Sequence, residues 1–200
     1  ICSNQEGKIS NLGRGGSDYS AAIYAKYLNA KVLEIWTDVS GVFSANPKIV
    51  KNASPIAYLS YKEAMELSFF GAKVIYFPTL QPLIEDNIPV FIKNTFKPDE
   101  EGTCISNSTK LDNDEIVKGI SHIENISILN FEGSGMVGVP GFSKRFFEVL
   151  SSNNINVIMI TQASSEFSIC IAIDSNDADL AKKVVDEEFK FEISQQKINK

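Results

Sequence analysis

The sequence predicts an α/β chain in two units: a helix–sheet sandwich on a mostly parallel sheet, then a smaller unit of order βαββαβ. Three observations carry this. Strand-like runs at 31–36 and 89–93 alternate with helix-spaced apolar residues over 21–28, 60–70 and 80–84. The stretch 97–115 is dominated by Asn, Asp, Ser and Lys and marks a boundary. From Val117 the strand and helix patterns restart.

The 200 residues leave room for one large or two small domains, and 44% hydrophobic content supplies a core. A formal charge of −6 with no basic block argues against a nucleic-acid surface. Cys2, Cys104 and Cys170 are widely spaced and His122 is the single histidine. No metal site is therefore expected, and the thiols read as reduced cysteines of a cytoplasmic protein. There is no signal peptide, and no apolar run reaches the roughly 18 residues of a membrane span. The chain opens on Ile1 and meets its first motif at Asn11, so it is expected to be a piece of a longer protein.

In chain order, 1–7 predicts a strand end and a turn. Gly13, Gly15 and Gly16 then permit positive φ and close approach of a ligand. Ser17 or Asp18 is expected to cap a helix whose apolar face carries Ala21, Tyr24, Ala25 and Leu28. A glycine turn feeding a helix N-terminus favours an anion, and Arg14 adds a two-point fork for carboxylate or phosphate. The turn is not a P-loop, because no Lys-Ser/Thr pair follows. It is a poor dinucleotide fingerprint, because Asp18 occupies the third glycine position. A helix cap with a flexible lead-in is the plainer alternative.

Residues 31–36 predict a strand, which leaves Thr37 and Asp38 at its C-terminal end, the edge where open α/β sheets bind ligands. Gly41 and Pro47 mark a loop. Ser60 and Glu63 form a capping-box pattern opening a helix to about Phe70. Lys73 lies just past Gly71, residues 74–76 read as briefly extended, and Leu80, Leu83 and Ile84 share the face of a short helix. Residues 89–93 form the last strand, with 102–105 a final extended piece. Trp36 and the phenylalanines are expected in the core. Taken singly, Asp38 is a turn residue, Lys73 a solvated charge, and Glu63 and Glu66 surface or capping groups.

In the second unit 126–131 is a strand and 133–135 a turn. Phe142, Phe146, Val149 and Leu150 stripe a helix over 140–152. Strands at 155–160 and 167–173, a helix at 176–189 and a fourth strand at 191–193 complete a ferredoxin-like split unit.

Three motifs carry a family resemblance. Asn11-Leu-Gly-Arg-Gly-Gly-Ser-Asp18 resembles the substrate loop of aspartate kinases. Trp36-Thr-Asp-Val-Ser-Gly-Val-Phe43 with Asn46-Pro-Lys48 resembles their nucleotide segment, and Phe69-Phe-Gly-Ala-Lys-Val74 their phosphate-side lysine motif. The second unit is similar to the ACT domains that follow in that family. The resemblance implies an amino-acid-kinase-type α/β/α sandwich fragment at 1–106 and an ACT regulatory domain at 116–194. It implies transfer of the ATP γ-phosphoryl to the β-carboxylate of L-aspartate, giving 4-phospho-L-aspartate, the first step toward threonine, lysine and methionine. Mg²⁺ would ride on the ATP phosphates.

By resemblance Arg14, Gly15, Gly16, Ser17 and Asp18 hold aspartate. Thr37, Asp38, Phe43, Lys48, Lys73 and Val74 contact the nucleotide, with Lys73 the catalytic cation. Phe43 and Lys48 depart from the family's usual Tyr and Arg, and Tyr76 and Phe77 stand where a His-Pro pair is usual. The family's N-terminal Lys-Phe-Gly-Gly motif is absent, so the chain alone is expected to be inactive. The second unit looks most like that of bifunctional aspartate kinase–homoserine dehydrogenases. That implies a feedback amino acid at Gln162, in the polar loop 161–166, with threonine favoured over lysine, and a homo-oligomer paired through ACT domains. The competing function is an amino-acid sensor carrying a degenerate kinase half.

Overall fold

The computed structural model describes residues 2–71, 74–107, 117–162 and 167–199. It divides into two compact units, Ile1–Ile123 and Glu124–Lys200.

The first unit opens on a short antiparallel hairpin, β1 (Cys2–Ser3) with β2 (Ile9–Ser10). Its main sheet has four strands: β3 (Leu33–Thr37), β4 (Tyr58–Leu59), β5 (Val90–Asn94) and β6 (Thr103–Ile105), in the order β3-β5-β6-β4. β3 and β5 run parallel, as do β4 and β6, but β5 and β6 are antiparallel. The sheet is thus mixed rather than mostly parallel. The connection after β5 is the short loop 95–102, which begins with a turn in which Asn94 Oδ1 accepts the Phe96 N–H at 2.9 Å. A loop of that length returns the chain antiparallel, because a parallel crossover takes about a dozen residues or more.

Helices α1 (Gly16–Tyr27), α2 (Tyr61–Phe69) and α3 (Gln81–Ile84) share one apolar cluster with the sheet. Ala22 and Ala25 bring α1 down on Leu33 and Ile35, while Leu80, Leu83, Val90 and Ile92 fill the centre. Ala22 and Ala25 form the buried stripe of α1, and Tyr24 and Leu28, expected on that face, are exposed. Strand alternation sends Glu34 and Trp36 to the opposite side from Leu33 and Ile35. There Trp36 is 44% exposed. Its Nε1 donates to Glu34 Oε2 at 3.1 Å, and Lys93 Nζ lies 5.1 Å from its ring centroid. Among the described residues the sheet is therefore covered on one face, not two, and Trp36 is outside the core. Phe69, Phe96, Phe167 and Phe191 are likewise exposed. The expected extended piece at 74–76 is a turn at Val74 and Ile75.

The stretch 117–123, expected to open the second unit, packs on the first. Lys118 Nζ pairs with Glu63 Oε1 at 3.0 Å, and the Ile120 N–H donates to the Ser44 carbonyl at 2.8 Å.

The second unit is a three-stranded antiparallel sheet of order β7-β9-β8: β7 (Ile126–Glu132), β8 (Val157–Gln162) and β9 (Ser168–Asp174). Helices α4 (Phe142–Ser152) and α5 (Ala178–Glu188) cover one face. Phe146 stacks on Phe131 at 4.8 Å between centroids, and Phe189 closes over Phe131 at 4.5 Å. The expected fourth strand at 191–193 is instead helix α6 (Lys190–Ser194). Phe189 and Ile193, four apart, turn to the same core, while Phe191 faces solvent; a strand would have put Phe191 and Ile193 on one face. Beyond α6 the chain runs along the end of β7, where the Asn199 N–H donates to the Glu132 carbonyl at 2.8 Å.

Candidate functional site

The glycine turn is built by its own backbone. Gly13 and Gly15 adopt φ of 73° and 70°. Asn11 Oδ1 accepts the Gly13 N–H at 2.9 Å, and the Gly13 carbonyl accepts the Gly16 N–H at 3.2 Å. Gly15 occupies the cap position of α1 and brings no side chain to it; the Gly16 N–H is taken by the Gly13 carbonyl, and the Ser17 and Asp18 N–H groups of the first turn are left to face a ligand. This corrects the expectation that Ser17 or Asp18 caps the helix. Both lie within its first turn, with Ser17 Oγ donating to Asp18 Oδ1 at 3.1 Å. Positive φ at Gly15 starts the helix early and leaves these two side chains at its mouth. Arg14 stands exposed beside them.

A Cβ at Gly15 would collide with the Tyr76 ring. The glycine turn therefore touches the segment that follows the lysine motif. Ile75 is buried and its carbonyl accepts from Ser68 Oγ of α2 at 2.5 Å. A 3-10 turn, Phe77–Thr79, then packs on α1. Half-buried Val74 is thereby held near the head of α1, whereas Lys73 lies outside the described residues.

The chain enters β3 from the C-terminal end of α1 through the short connection 28–32, and α1 packs on β3. The two elements run in opposite senses, so the head of α1 lies toward the C-terminal edge of the sheet, where Thr37 and Asp38 sit. Thr37 Oγ1 donates to Asp38 Oδ1 at 3.1 Å, and the Thr37 carbonyl accepts the Thr95 N–H. Phe43 is half-buried, in a β-bridge with Pro55. Lys48 is exposed in a turn whose Asn46 Oδ1 accepts its N–H at 3.0 Å. The structure thus gathers the glycine turn, Val74, Thr37 and Asp38 at one end of the sheet, with Lys48 further along a separate loop.

Three side chains that the sequence did not flag support this edge. Asn94 Nδ2 donates to Ser40 Oγ at 2.9 Å, both buried. Thr103 Oγ1 accepts the Val42 N–H at 2.8 Å and donates to the Ile56 carbonyl at 2.7 Å. A Cβ at Gly41 would strike Thr103, so the loop after β3 is pinned to β6. An Asn closing the apolar run Val90–Asn94 was the one visible signal; Thr103 offered none. At the start of α2 the capping box is present as expected. Burial pushes the Glu63 carboxyl up, but the Ser60 N–H and the Lys118 ammonium outweigh it, and the net shift is downward. Burial pushes the Tyr61 phenol up to about 12, and its hydroxyl donates to the Ile88 carbonyl at 2.5 Å.

In the second unit Gln162 ends β8 beside a cleft of about 340 Å³, lined also by Met136, Gly138, Val139, Gly141, Phe142 and Ser143. Gly141, at φ 98°, heads α4 without a side-chain cap, so N–H groups face this end too. Ala163, Ser164, Ser165 and Glu166, the rest of the loop expected to hold an effector, lie outside the described residues. Among the described residues no three His, Cys, Asp or Glu side chains form a metal cluster, and no helix is long and apolar enough to cross a membrane.

Residues 1–94 match the amino acid kinase family and residues 129–189 match the ACT domain. The bifunctional aspartokinase/homoserine dehydrogenase of Haemophilus influenzae is 45% identical over 98% of the chain. The chain spans about a quarter of that relative's length, 24%. The structure of E. coli aspartokinase III in complex with aspartate and ADP superposes with a TM-score of 0.73 at 35% identity, over 86% of this chain and 38% of that one. The same enzyme in complex with lysine and aspartate gives 0.68 at 31% identity, over 92% and 41%. The chain accordingly joins an amino acid kinase segment to an ACT domain and is related, over nearly its whole length, to the aspartokinases.

Proposed function

We propose that this chain is the aspartate-holding and nucleotide-holding part of an aspartate kinase, together with its ACT domain. The observation that carries the proposal is the uncapped head of α1, set at the C-terminal edge of the sheet with Arg14, Ser17 and Asp18 around it. Arg14 grips the α-carboxylate of L-aspartate in two-point fashion, and Asp18 faces its ammonium group. Thr37, Asp38, Phe43, Lys48 and Val74 contact ATP. Lys73 stabilises charge developing on the transferred phosphoryl, and Mg²⁺ is carried by the ATP phosphates. The β-carboxylate is ionised at neutral pH, so no general base is needed; positioning and cations suffice for transfer to 4-phospho-L-aspartate. Likeness to a structure holding aspartate and ADP supports this reading.

The ACT domain senses a feedback amino acid at the Gln162 cleft, pairs with a second copy, and works in the cytoplasm. Likeness to an aspartokinase complexed with lysine supports amino-acid control of this kind. Threonine is the effector favoured here, because bifunctional enzymes are among the relatives that match nearly all of this chain. The test is ADP release by the full-length protein with aspartate or glutamate as acceptor. Release dependent on aspartate alone is expected; release indifferent to the acceptor would set the proposal aside.

A further inference from the structure

The segment 117–123 leads from the first compact unit to the second, yet it is bonded to the first at several points. Lys118 reaches both carboxylate oxygens of Glu63, at 3.0 and 3.1 Å. Glu63 is itself committed to the head of α2, where it accepts the Ser60 N–H at 2.7 Å. Gly119 is wedged in: a Cβ there would lie 3.3 Å from Ile56 Cδ1, 3.4 Å from Leu67 Cδ2 and 3.4 Å from the Ser44 carbonyl. The Ile120 N–H donates to that same carbonyl at 2.8 Å, while its side chain is 70% exposed. At the other end of α2, a Cβ at Gly71 would meet the His122 carbonyl, and Gly71 has φ 114°.

These contacts converge on one loop. Ser44 directly follows Phe43, and the ribbon holding Phe43 is closed by Ser44 N–H to Ser54 carbonyl and Ile56 N–H to Val42 carbonyl, both 2.8 Å. The segment therefore fills the space between that ribbon and α2. Gly71 belongs to the motif that leads to Val74. A single strap thus touches the two stretches proposed to hold the nucleotide and none proposed to hold aspartate.

We propose that 117–123 is a positioning strap for the nucleotide side of the site, with Lys118, Gly119 and the Ile120 N–H as its working groups. This rests on the kinase reading given above. Weakening the strap lets the Phe43 ribbon move off α2. Nucleotide affinity then falls, while aspartate affinity, set at the head of α1, is unaffected.

The experiment measures the ADP dissociation constant of the full-length protein directly, with the aspartate KM measured alongside. Lys118→Ala and Gly119→Leu are expected to weaken ADP binding by about three- to ten-fold, the range of one or two lost polar contacts. The aspartate KM is expected to stay within about two-fold. Lys118→Arg restores ADP affinity, and Val117→Ala, a change at a 64% exposed side chain of the same segment, leaves it at the wild-type value. Unchanged ADP affinity in both weakened variants overturns the strap, as does a parallel loss of both ligands. Wild-type protein that binds ADP but does not phosphorylate aspartate sinks the kinase reading and leaves the strap to be judged on the ADP constants. Wild-type protein that binds no ADP overturns both.

Discussion

Arg14 tests the substrate assignment at the scale of one residue. Its guanidinium offers a planar fork, and lysine keeps the charge but not the fork. Arg14→Lys in the full-length protein is expected to raise the aspartate KM by about ten-fold and to move the ATP KM much less, since a charge-assisted contact contributes about 1.5–3 kcal/mol. Steady-state kinetics at varied aspartate and varied ATP separate the two, and a shift confined to ATP would move Arg14 to the phosphate side. The glycines of this turn were legible because positive φ is close to a glycine prerogative, and Gly13 and Gly15 do adopt it. The cap was not legible. Ser17 and Asp18 have good capping chemistry, but Gly15 bends the chain into the helix before they are reached. Thr103 and Ser40 were invisible for another reason. Their partners, Val42 and Asn94, are remote in sequence, and no local pattern announces a long-range polar contact.

At the scale of elements, pattern located each long helix among the described residues, and the misreadings concern the type of one short element and what the others pack on. Phe191-Glu-Ile193 carries strand-forming side chains, but burial of Phe189 and Ile193 on one side favours a helical turn. The sheet reads as parallel from its alternation with helices, yet the short loop after β5 sends β6 back antiparallel. α6 also brings Glu192 to Arg145 of α4, at 2.6 Å, and Glu188 of α5 to the same guanidinium at 2.8 Å. Burial pushes the Glu192 carboxyl up, but Arg145 outweighs it and holds it below its ordinary value of 4.5. A carboxyl depressed in the folded state stabilises the fold above its unfolded pKa and loses that contribution as pH falls through the folded value. The second unit is therefore expected to lose stability below about pH 4.5. Arg145→Ala should flatten that acid dependence and cost about 1–3 kcal/mol at neutral pH, less than a fully buried pair because Arg145 is 38% exposed. Thermal melts of both forms from pH 7 to pH 3 check this; parallel curves would remove the pair from the acid response.

Across the whole molecule, the proposed function couples a kinase site to an amino-acid sensor, and such coupling of binding affinities would be reciprocal by thermodynamic necessity. Threonine is expected to inhibit the full-length kinase. Gln162→Ala should weaken inhibition several-fold, the consequence of losing about 1 kcal/mol from one neutral hydrogen bond, with little change in kcat without effector. Threonine titrations at fixed aspartate decide it: superimposed curves remove Gln162 from the effector site, and inhibition by lysine alone changes the effector. The two-unit organisation was legible from the restart of the strand and helix patterns. Where the join falls was not, because 117–123 is held to the first unit by Gly119 and backbone groups that carry no sequence signature. The central claim is that a carboxylate, not a hydroxyl or a nucleotide, receives the phosphoryl group. The direct measurement incubates full-length protein with ATP, Mg²⁺, aspartate and hydroxylamine, and compares the hydroxamate formed with the ADP released. The account predicts equal amounts of the two, both abolished when aspartate is omitted. ADP released without hydroxamate would contradict it.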